Sequence, residues 1–117
     1  MKPGMRVLPI NPPSHYYELI DGAEGVEFVS AGPAEMVHLF CANRWELEAS
    51  VGLALGQVVE GGMLWISWPK KSSKLFVDLT EDDLRTLVLP TGWVDVKVCA
   101  VDADWSALKF LKRKAAN

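Results

Sequence analysis

The chain has 117 residues, 50% hydrophobic and 23% charged, with a net charge of -3 and a sequence pI near 5.3. This composition is typical of one soluble globular domain, and its acidic balance argues against a nucleic-acid partner, because affinity for nucleic acid comes mainly from neutralised phosphates. No apolar run approaches the roughly 20 residues that span a bilayer, and residues 1–10 lack the apolar core of a signal peptide, so we expect a cytoplasmic protein without a membrane partner.

Apolar runs and turn residues divide the first third of the chain into strands and one short helix. Three runs are predicted as strands: residues 5–10, 26–30 and 35–42. The last of them, EMVHLFCA, is nearly all apolar, as expected of a strand buried on both faces of a parallel sheet. Between the first two, Asn11 suits an N-cap and Pro12 the first helical position, which predicts a short helix over residues 15–21.

The strongest helical pattern follows the third strand. Asn43 and Glu46 have the spacing of a capping box, and an apolar stripe then runs along the predicted helix: Leu47, Val51, Leu55 and Val58. The pair Gly61-Gly62 is predicted to end this helix. Gly52 and Gly56 stand four apart within it, and since a helical glycine costs about 1 kcal/mol relative to alanine, we expect them to permit close contact with the sheet.

The second half predicts a strand, a helix and a closing hairpin. The strand is Met63–Trp68, and the helix begins at Thr80 with three acidic residues in its first turn, where the helix dipole favours anions. Two further strands, Trp93–Val101 and Ala107–Lys112, are joined by a tight connection. The alternation predicts one α/β domain over residues 1–117, with three layers, a mostly parallel sheet of about six strands and a C-terminal antiparallel hairpin.

This order of elements resembles a shortened S-adenosylmethionine methyltransferase-type Rossmann fold. The segments KPGMRV, VEGGMLWISWPKK and WVDVKVCAVDADWSALKFLKRK support the resemblance, with one helix and one strand missing after Ser30. More closely, KPGMRV, WPKKSSKLFVDLTEDDLR and VDVKVCAVDADWSALKF are similar to the bacterial domain-of-unknown-function 3052 family. That resemblance implies a bacterial protein and a fold, but no activity.

The methyltransferase resemblance implies two cofactor contacts: a glycine-rich turn after the first strand and an acidic residue at the end of the second. Here the first turn reads LPINPPSHY, which contains no glycine and in which Pro9, Pro12 and Pro13 provide no backbone donors. The second strand ends at Ser30 without a carboxylate. We therefore expect no cofactor, neither S-adenosylmethionine nor a dinucleotide. The resemblance in fold does not argue against this, because fold alone does not fix function.

A ligand site in an open α/β sheet lies outside the carboxyl ends of the strands. The residues predicted to gather at that edge are Asn11, Ser14, His15, Asn43, Arg44, Trp68, Lys70, Lys71, Ser72, Ser73, Asp102 and Trp105. An anion pocket could be formed by Lys70, Lys71 and Lys74 with Ser72 and Ser73, although lysines that follow an apolar strand more often form a solvated loop. Asp102 and Asp104 could neutralise Lys70 or Lys71 in a surface salt bridge worth at most about 1 kcal/mol.

The histidines and cysteines are predicted to be packing residues. His15 is near the predicted edge but has no evident partner, and His38 lies mid-strand in MVHLF as a core residue. Neither has a second histidine at ligand spacing, so we expect no metal site. Cys41 and Cys99 are predicted to be reduced core residues about three strand spacings apart, each near 4.8 Å, which is beyond disulfide reach.

The fifth strand is predicted to lie at the sheet edge. Asp95 and Lys97 would protect that edge from unwanted pairing, while Trp93 on the same face could contact a second subunit, so a homodimer through this edge is a possible partner arrangement.

Two functional hypotheses from different classes remain open. The favoured one is a small binding or regulatory module without the cofactor loop, rather than an enzyme. The alternative is an enzyme or binder of a small anionic metabolite that uses Lys70, Lys71, Asp102 and Trp105. A weaker third is a methyltransferase that holds its cofactor by an unusual loop.

Overall fold

The computed structural model describes residues 4–12, 27–30, 32–101 and 104–112, apart from the side chains of Glu60 and Lys112. The strands are β1 (Arg6–Ile10), β2 (Glu27–Phe28), β3 (Ala34–Phe40), β4 (Val58–Pro69), β5 (Trp93–Ala100) and β6 (Trp105–Lys112). The helices are α1 (Arg44–Gly56) and α2 (Glu81–Val88), and a 3-10 turn, Leu89–Thr91, follows α2. The helix predicted over residues 15–21, and the candidate site residues Ser14, His15 and Asp102, lie outside the described residues.

The described strands form one sheet in the order β2-β1-β3-β4-β6-β5. Strands β1 to β4 pair in parallel, whereas β6 is antiparallel to both of its neighbours. The predicted mostly parallel sheet with a closing antiparallel hairpin is therefore confirmed. Because β6 lies between β4 and β5, β5 is an edge strand, and Cys41 and Cys99 are free thiols far apart across the sheet.

The main hydrophobic core lies on one face of the sheet. Both helices pack there: Leu47 of α1 and Leu84 of α2 belong to the same buried cluster as Leu39, Leu64 and Ile66 of the central strands. Each such side chain stabilises the fold by about 1.5–3 kcal/mol when fully buried. No helix in the described part of the chain is long and apolar enough to cross a membrane.

The start of α1 is as predicted, but its end is not. The Oδ1 atom of Asn43 accepts a hydrogen bond from the backbone N–H of Glu46 at 2.9 Å, which caps the helix. The helix ends at Gly56 rather than at Gly61-Gly62, and Val58 belongs to β4, where it pairs with Ala34. The reason is non-local: the carbonyl of Gln57 accepts a hydrogen bond from the N–H of Ala34 at 2.8 Å, so sheet pairing replaces the helical hydrogen bonds at this point.

The glycine pair instead forms a bulge in β4. Between two paired positions, β3 advances two residues, from Ala34 to Met36, while β4 advances five, from Val58 to Met63. Gly61 has a φ of 80°, a conformation that favours glycine. At Gly62 an added Cβ would lie 2.7 Å from the carbonyl oxygen of Glu35. Both glycines are therefore needed to change the register of β4 against β3.

The expected role of Gly52 and Gly56 is wrong. Both lie on the exposed side of α1, and a Cβ added to either would meet nothing within 4 Å. They do not bring the helix close to the sheet, so the cap at Asn43 and the stripe as far as Leu55 were predicted correctly, whereas Val58 and the two glycines were not.

The glycines of α1 and β4 should respond to alanine in opposite directions. Gly52→Ala should raise the free energy of unfolding by about 1 kcal/mol, because the position is helical and unobstructed. Gly62→Ala should lower it by about 1–3 kcal/mol, because the new methyl group would press on backbone atoms. Urea denaturation of both variants measures these changes, and shifts of the same sign would contradict the structure.

A buried polar pair lies on the face opposite the main core. His38 and Ser67 are 4% and 0% exposed, and the His38 Nε2 atom lies 2.6 Å from the Ser67 Oγ atom. The His38 ring also stacks on Phe40 with ring centroids 4.3 Å apart. Burial lowers the pKa of His38 from 6.5 to about 3, so the imidazole is neutral at physiological pH. The prediction of a satisfied core histidine is confirmed.

This neutral histidine should make the fold acid-sensitive. In the unfolded chain His38 binds a proton below pH 6.5, but in the folded protein it stays neutral down to about pH 3. The unfolded state therefore binds more protons across that window, and stability falls as the pH falls. We expect His38 to account for a loss of about 2 kcal/mol between pH 7 and pH 5.

Comparison of the wild type with His38→Gln by denaturant unfolding at both pH values isolates this contribution. The carboxyl groups of Glu35, Asp83 and Asp95, whose pKa values are lowered by hydrogen bonds, act mainly at more acidic pH. An identical pH dependence in the variant would show that His38 does not cause the loss.

Candidate functional site

A cleft opens at the carboxyl edge of the sheet, where β4 ends and α2 begins. We refer to it as the basic cleft; its volume is about 350 Å³, and it is lined by Trp68, Lys70, Lys71, Thr80, Glu81, Asp82 and Ser106. Three of these, Trp68, Lys70 and Lys71, are among the residues predicted from the sequence. The structure therefore brings the aromatic end of β4 and the first two lysines of the following loop to one site.

The loop after β4 is held by backbone hydrogen bonds to the start of β6. The N–H of Lys70 donates to the carbonyl of Asp104 at 2.8 Å, and the N–H of Ser73 donates to the carbonyl of Lys70 at 2.9 Å. The Ser73 hydroxyl donates to the Asp104 carboxylate at 2.9 Å. Asp104 thus fixes the loop through its backbone and through Ser73, and no ion pair involves Lys70 or Lys71 within the described part of the chain.

The opposite wall of the basic cleft is the first turn of α2. The two carboxylates that line the cleft, those of Glu81 and Asp82, interact with the same guanidinium. Arg85 forms a salt bridge with Glu81, and the Arg85 Nη1 atom lies 3.7 Å from the Oδ1 atom of Asp82. Arg85 also donates from Nε to Asp95 Oδ2 at 2.8 Å, which joins α2 to the edge strand β5. Hydrogen bonds to Arg85 lower the pKa of Asp95. The carboxylates of Glu81 and Asp82 are therefore partly neutralised by Arg85, whereas Lys70 and Lys71 have no ion-pair partner in the described part of the chain.

Asn43 and Arg44 serve the scaffold of this edge and do not line the basic cleft. The N–H of Arg44 donates to Asp78 Oδ1 at 2.9 Å, and its Nη2 atom donates to Asp83 Oδ2 at 3.3 Å. Asp83 in turn accepts from the Thr80 backbone N–H at 2.9 Å, and this hydrogen bond is the main cause of its lowered pKa. These contacts tie the start of α1 to the start of α2.

The remaining predicted residues are dispersed. Ser72 is exposed in the loop, and Trp105 is 8% exposed on the opposite face, where its ring makes an edge contact with Phe40 at 5.1 Å. Cys41, at the end of β3, is fully buried, and burial with the nearby Glu46 charge raises its thiol pKa to about 12. That thiol stays protonated at neutral pH and is not an activated nucleophile.

Four lining residues were not predicted: Thr80, Glu81, Asp82 and Ser106. The first three could have been found, because a helix that follows a parallel strand begins at the carboxyl edge. Ser106 could not, since its position beside Trp68 depends on the hairpin register. Among the described residues, no group of three or more histidine, cysteine or acidic side chains is placed to hold a metal.

A second cavity, the β1 cavity, lies between α1 and the carboxyl half of β1. Its volume is about 410 Å³, and its described lining is Leu8, Pro9, Ile10, Asn11, Ser30, Leu53 and Gln57. Nearby, β2 and β3 are joined by only five residues, Val29 to Pro33, where parallel strands usually have a helical crossover. Asn11 is thus separated from the basic cleft and belongs to this cavity.

The β1 cavity lies where the methyltransferase resemblance implies the cofactor, but its described residues do not fit S-adenosylmethionine. That cofactor carries a carboxylate, an ammonium and a sulfonium group, and no described lining residue is charged. Ser30 stands where a carboxylate would bind the ribose, and Pro9 and Pro12 provide no backbone donors. The chemistry of the usual cofactor site is therefore absent from the described part of this cavity.

Comparison with known proteins gives a match in structure only. No family model and no curated protein matches the chain, so the similarity to the domain-of-unknown-function 3052 family stays a prediction. Among solved structures, the chain is similar to the magnesium protoporphyrin IX methyltransferase of Synechocystis PCC 6803 with bound SAM, with a TM-score of 0.63 and 11% identity over 94% of this chain and 71% of that one.

Two further solved structures give the same result. A SAM-dependent methyltransferase from Aquifex aeolicus has a TM-score of 0.64 and 11% identity, covering 93% of this chain and 82% of that chain. The fibrillarin pre-rRNA processing protein of Methanococcus jannaschii has a TM-score of 0.61 and 11% identity, covering 97% of this chain and 69% of that one. At such identities the likeness shows the fold alone: this chain has a methyltransferase-type, Rossmann-like α/β fold.

Proposed function

We propose that this protein is a binding module that retains a methyltransferase-type fold without its usual cofactor chemistry, and that it binds a small anionic ligand in the basic cleft. The observation that carries the proposal is the pair of lysines on one side of the cleft. Lys70 and Lys71 line a cleft beside Trp68 and have no ion-pair partner within the described part of the chain.

The lining of the basic cleft suits a ligand with its negative charge at one end. The two ammonium groups attract an anionic group, and the hydroxyl of Ser106 can donate a hydrogen bond to it, whereas the Thr80 hydroxyl already donates to Asp83 at 3.0 Å. The carboxylates of Glu81 and Asp82 repel a second negative charge on the far wall. A volume of about 350 Å³ is within the range of small-molecule sites, and Trp68 supplies an apolar surface.

The same lining favours binding over catalysis. Its described residues include no histidine or cysteine, and the buried thiol of Cys41 and the buried imidazole of His38 are not among them. Carboxylates and lysines can also act as general acids or bases, but Glu81 and Asp82 are engaged by Arg85. We therefore assign the basic cleft a role in holding a ligand, as in a sensor or regulatory domain.

One observation favours a second candidate, an S-adenosylmethionine-dependent methyltransferase with an unusual loop. Asn11, directly after β1, has a φ of 55°, so the chain turns there with the left-handed geometry that glycine usually provides. Asparagine adopts this conformation more readily than most residues. Under this alternative the cofactor would occupy the β1 cavity rather than the basic cleft.

Ligand titration with matched lysine variants tests the proposal. Calorimetry with inorganic phosphate, pyrophosphate and citrate at low ionic strength should detect binding of at least one anion. Lys70→Ala and Lys71→Ala should each weaken that binding about 10-fold or more, because each removes a charge-assisted hydrogen bond. Lys74→Ala is the control: it removes the same charge from the same loop at an exposed position outside the cleft lining, and should change affinity about 2-fold or less.

The outcomes separate the candidates. Equal weakening by all three lysine variants would mean diffuse attraction rather than a site, and no binding of any of the three anions would reject the proposal. Binding of S-adenosylmethionine that survives Lys70→Ala and is lost in Asn11→Pro would establish the second candidate instead.

A further inference from the structure

The outer face of α1 is apolar although it faces solvent. Apart from Glu48, which is also exposed on this face, it consists of Trp45, Ala49, Gly52, Leu53 and Gly56, all of which are exposed, with Trp45 at 74% and Leu53 at 62%. The chain has no charged residue from position 49 to position 59. A surface helix normally carries charged side chains on its outer face. The composition of α1 is instead typical of a helix covered on both sides.

The spacing along this outer face matches a helix–helix seam. Positions 45, 49, 52 and 56 are separated by four, three and four residues, the alternation of the core positions of paired helices. The inner face is already used, because Leu47 and Ala54 are fully buried against the sheet. The outer face is therefore a second seam with no partner within the described chain.

We propose that this seam is covered by α1 of a second copy of the chain, packed antiparallel across a two-fold axis. In that register Trp45 of one copy faces Gly56 of the second copy, and Ala49 faces Gly52 of the second copy. A two-fold interface requires each surface to be its own complement. In this register Trp45, the largest side chain of the seam, faces a glycine, which has no side chain. The two-fold symmetry produces this contact twice.

The β1 cavity provides the space for the tryptophan. Leu53 and Gln57, which flank Gly56, line that cavity together with Leu8 and Ile10. Its volume of about 410 Å³ and its uncharged described lining suit an indole ring. The knob and the hole therefore lie at opposite ends of the same helix, and antiparallel packing places each against the other.

Charge also favours the antiparallel arrangement. The charged residues of α1, Arg44, Glu46 and Glu48, all lie in its first turns. Parallel packing would bring the two Glu48 carboxylates together and place Trp45 against itself. Antiparallel packing puts these charged turns at opposite ends of the interface and opposes the helix dipoles favourably.

The size of the seam predicts a weak dimer. With 13 residues, α1 is about 20 Å long, so one helix pair and two inserted indoles bury less than the roughly 1,200 Å² of a standard stable interface. We expect dimerisation at tens to hundreds of micromolar protein and monomers at about 1 μM.

Trp93 of the edge strand β5 cannot make the second-copy contact expected of it from the sequence. Trp93 is 5% exposed and packs in the main core with α2, so it is not available to a partner. The pairing with β6 passes from Asp95–Phe110 to Lys97–Lys109, which leaves Val96 as a bulge. Bulges at sheet edges disfavour further strand pairing.

Sedimentation velocity over about 1–500 μM protein tests the proposal. The wild type should move from the 12.9 kDa monomer towards twice that mass as its concentration rises. Trp45→Ala should weaken dimerisation at least about 10-fold, as expected for a central aromatic anchor. Val77→Ala is the matched control, since it removes an apolar side chain that is 64% exposed on a different surface, and it should leave the association constant unchanged.

A second variant separates specific packing from general hydrophobic association. Gly52→Leu adds apolar surface at an exposed helical position and should fold well, but its side chain blocks close approach of the two helices, so it should also weaken dimerisation. Monomers at every concentration would overturn the proposal. So would a Gly52→Leu variant that associates more strongly, or a dimer lost in Val98→Lys on β5 but retained in Trp45→Ala.

Discussion

The pairing of β4 with its two neighbours is the interaction on which the rest of the structure depends. Parallel pairing with β3 begins at Val58 and ends α1 early, and the glycine bulge then brings the apolar half of β4 into register with β3. Antiparallel pairing with β6 continues to Pro69–Trp105, at the carboxyl edge. Without both ladders, the loop of Lys70 and Lys71 would not be fixed beside α2.

The charged cleft of this chain lies apart from the cavity beside β1. Only five residues, Val29 to Pro33, connect β2 to β3. The described lining of the β1 cavity carries no charge, and the outer face of α1 is exposed. The charged groups that face a cleft occur elsewhere, between the end of β4 and the start of α2. The fold is thus retained while its polar chemistry has a different position on the same edge.

The sequence predicted the local features well because they depend on neighbouring residues. Apolar runs located the strands, and the side chains of Asn43 and the Thr80 turn marked the helix starts. The failures concern features decided by distant residues. Gly61 and Gly62 were predicted to stop the helix, but Gly62 lies against the backbone of Glu35 on β3, a distant residue that the local sequence does not reveal. The bulge at Val96 reverses the simple alternation in β5, so Trp93 enters the core instead of the edge surface. The lysines of the site were found from their place after a strand, whereas Ser106 needed the hairpin register.

We propose that the ligand site lies in the basic cleft and not where the fold usually holds S-adenosylmethionine. Backbone amide chemical-shift mapping tests it directly, with pyrophosphate and S-adenosylmethionine titrated separately into the labelled full chain. If the ligand binds in the basic cleft, pyrophosphate should shift the amides of Lys70, Lys71, Glu81 and Ser106, while S-adenosylmethionine should leave Asn11 and Ser30 unshifted. Shifts at Asn11 and Ser30 with S-adenosylmethionine, and none in the basic cleft with pyrophosphate, would contradict it.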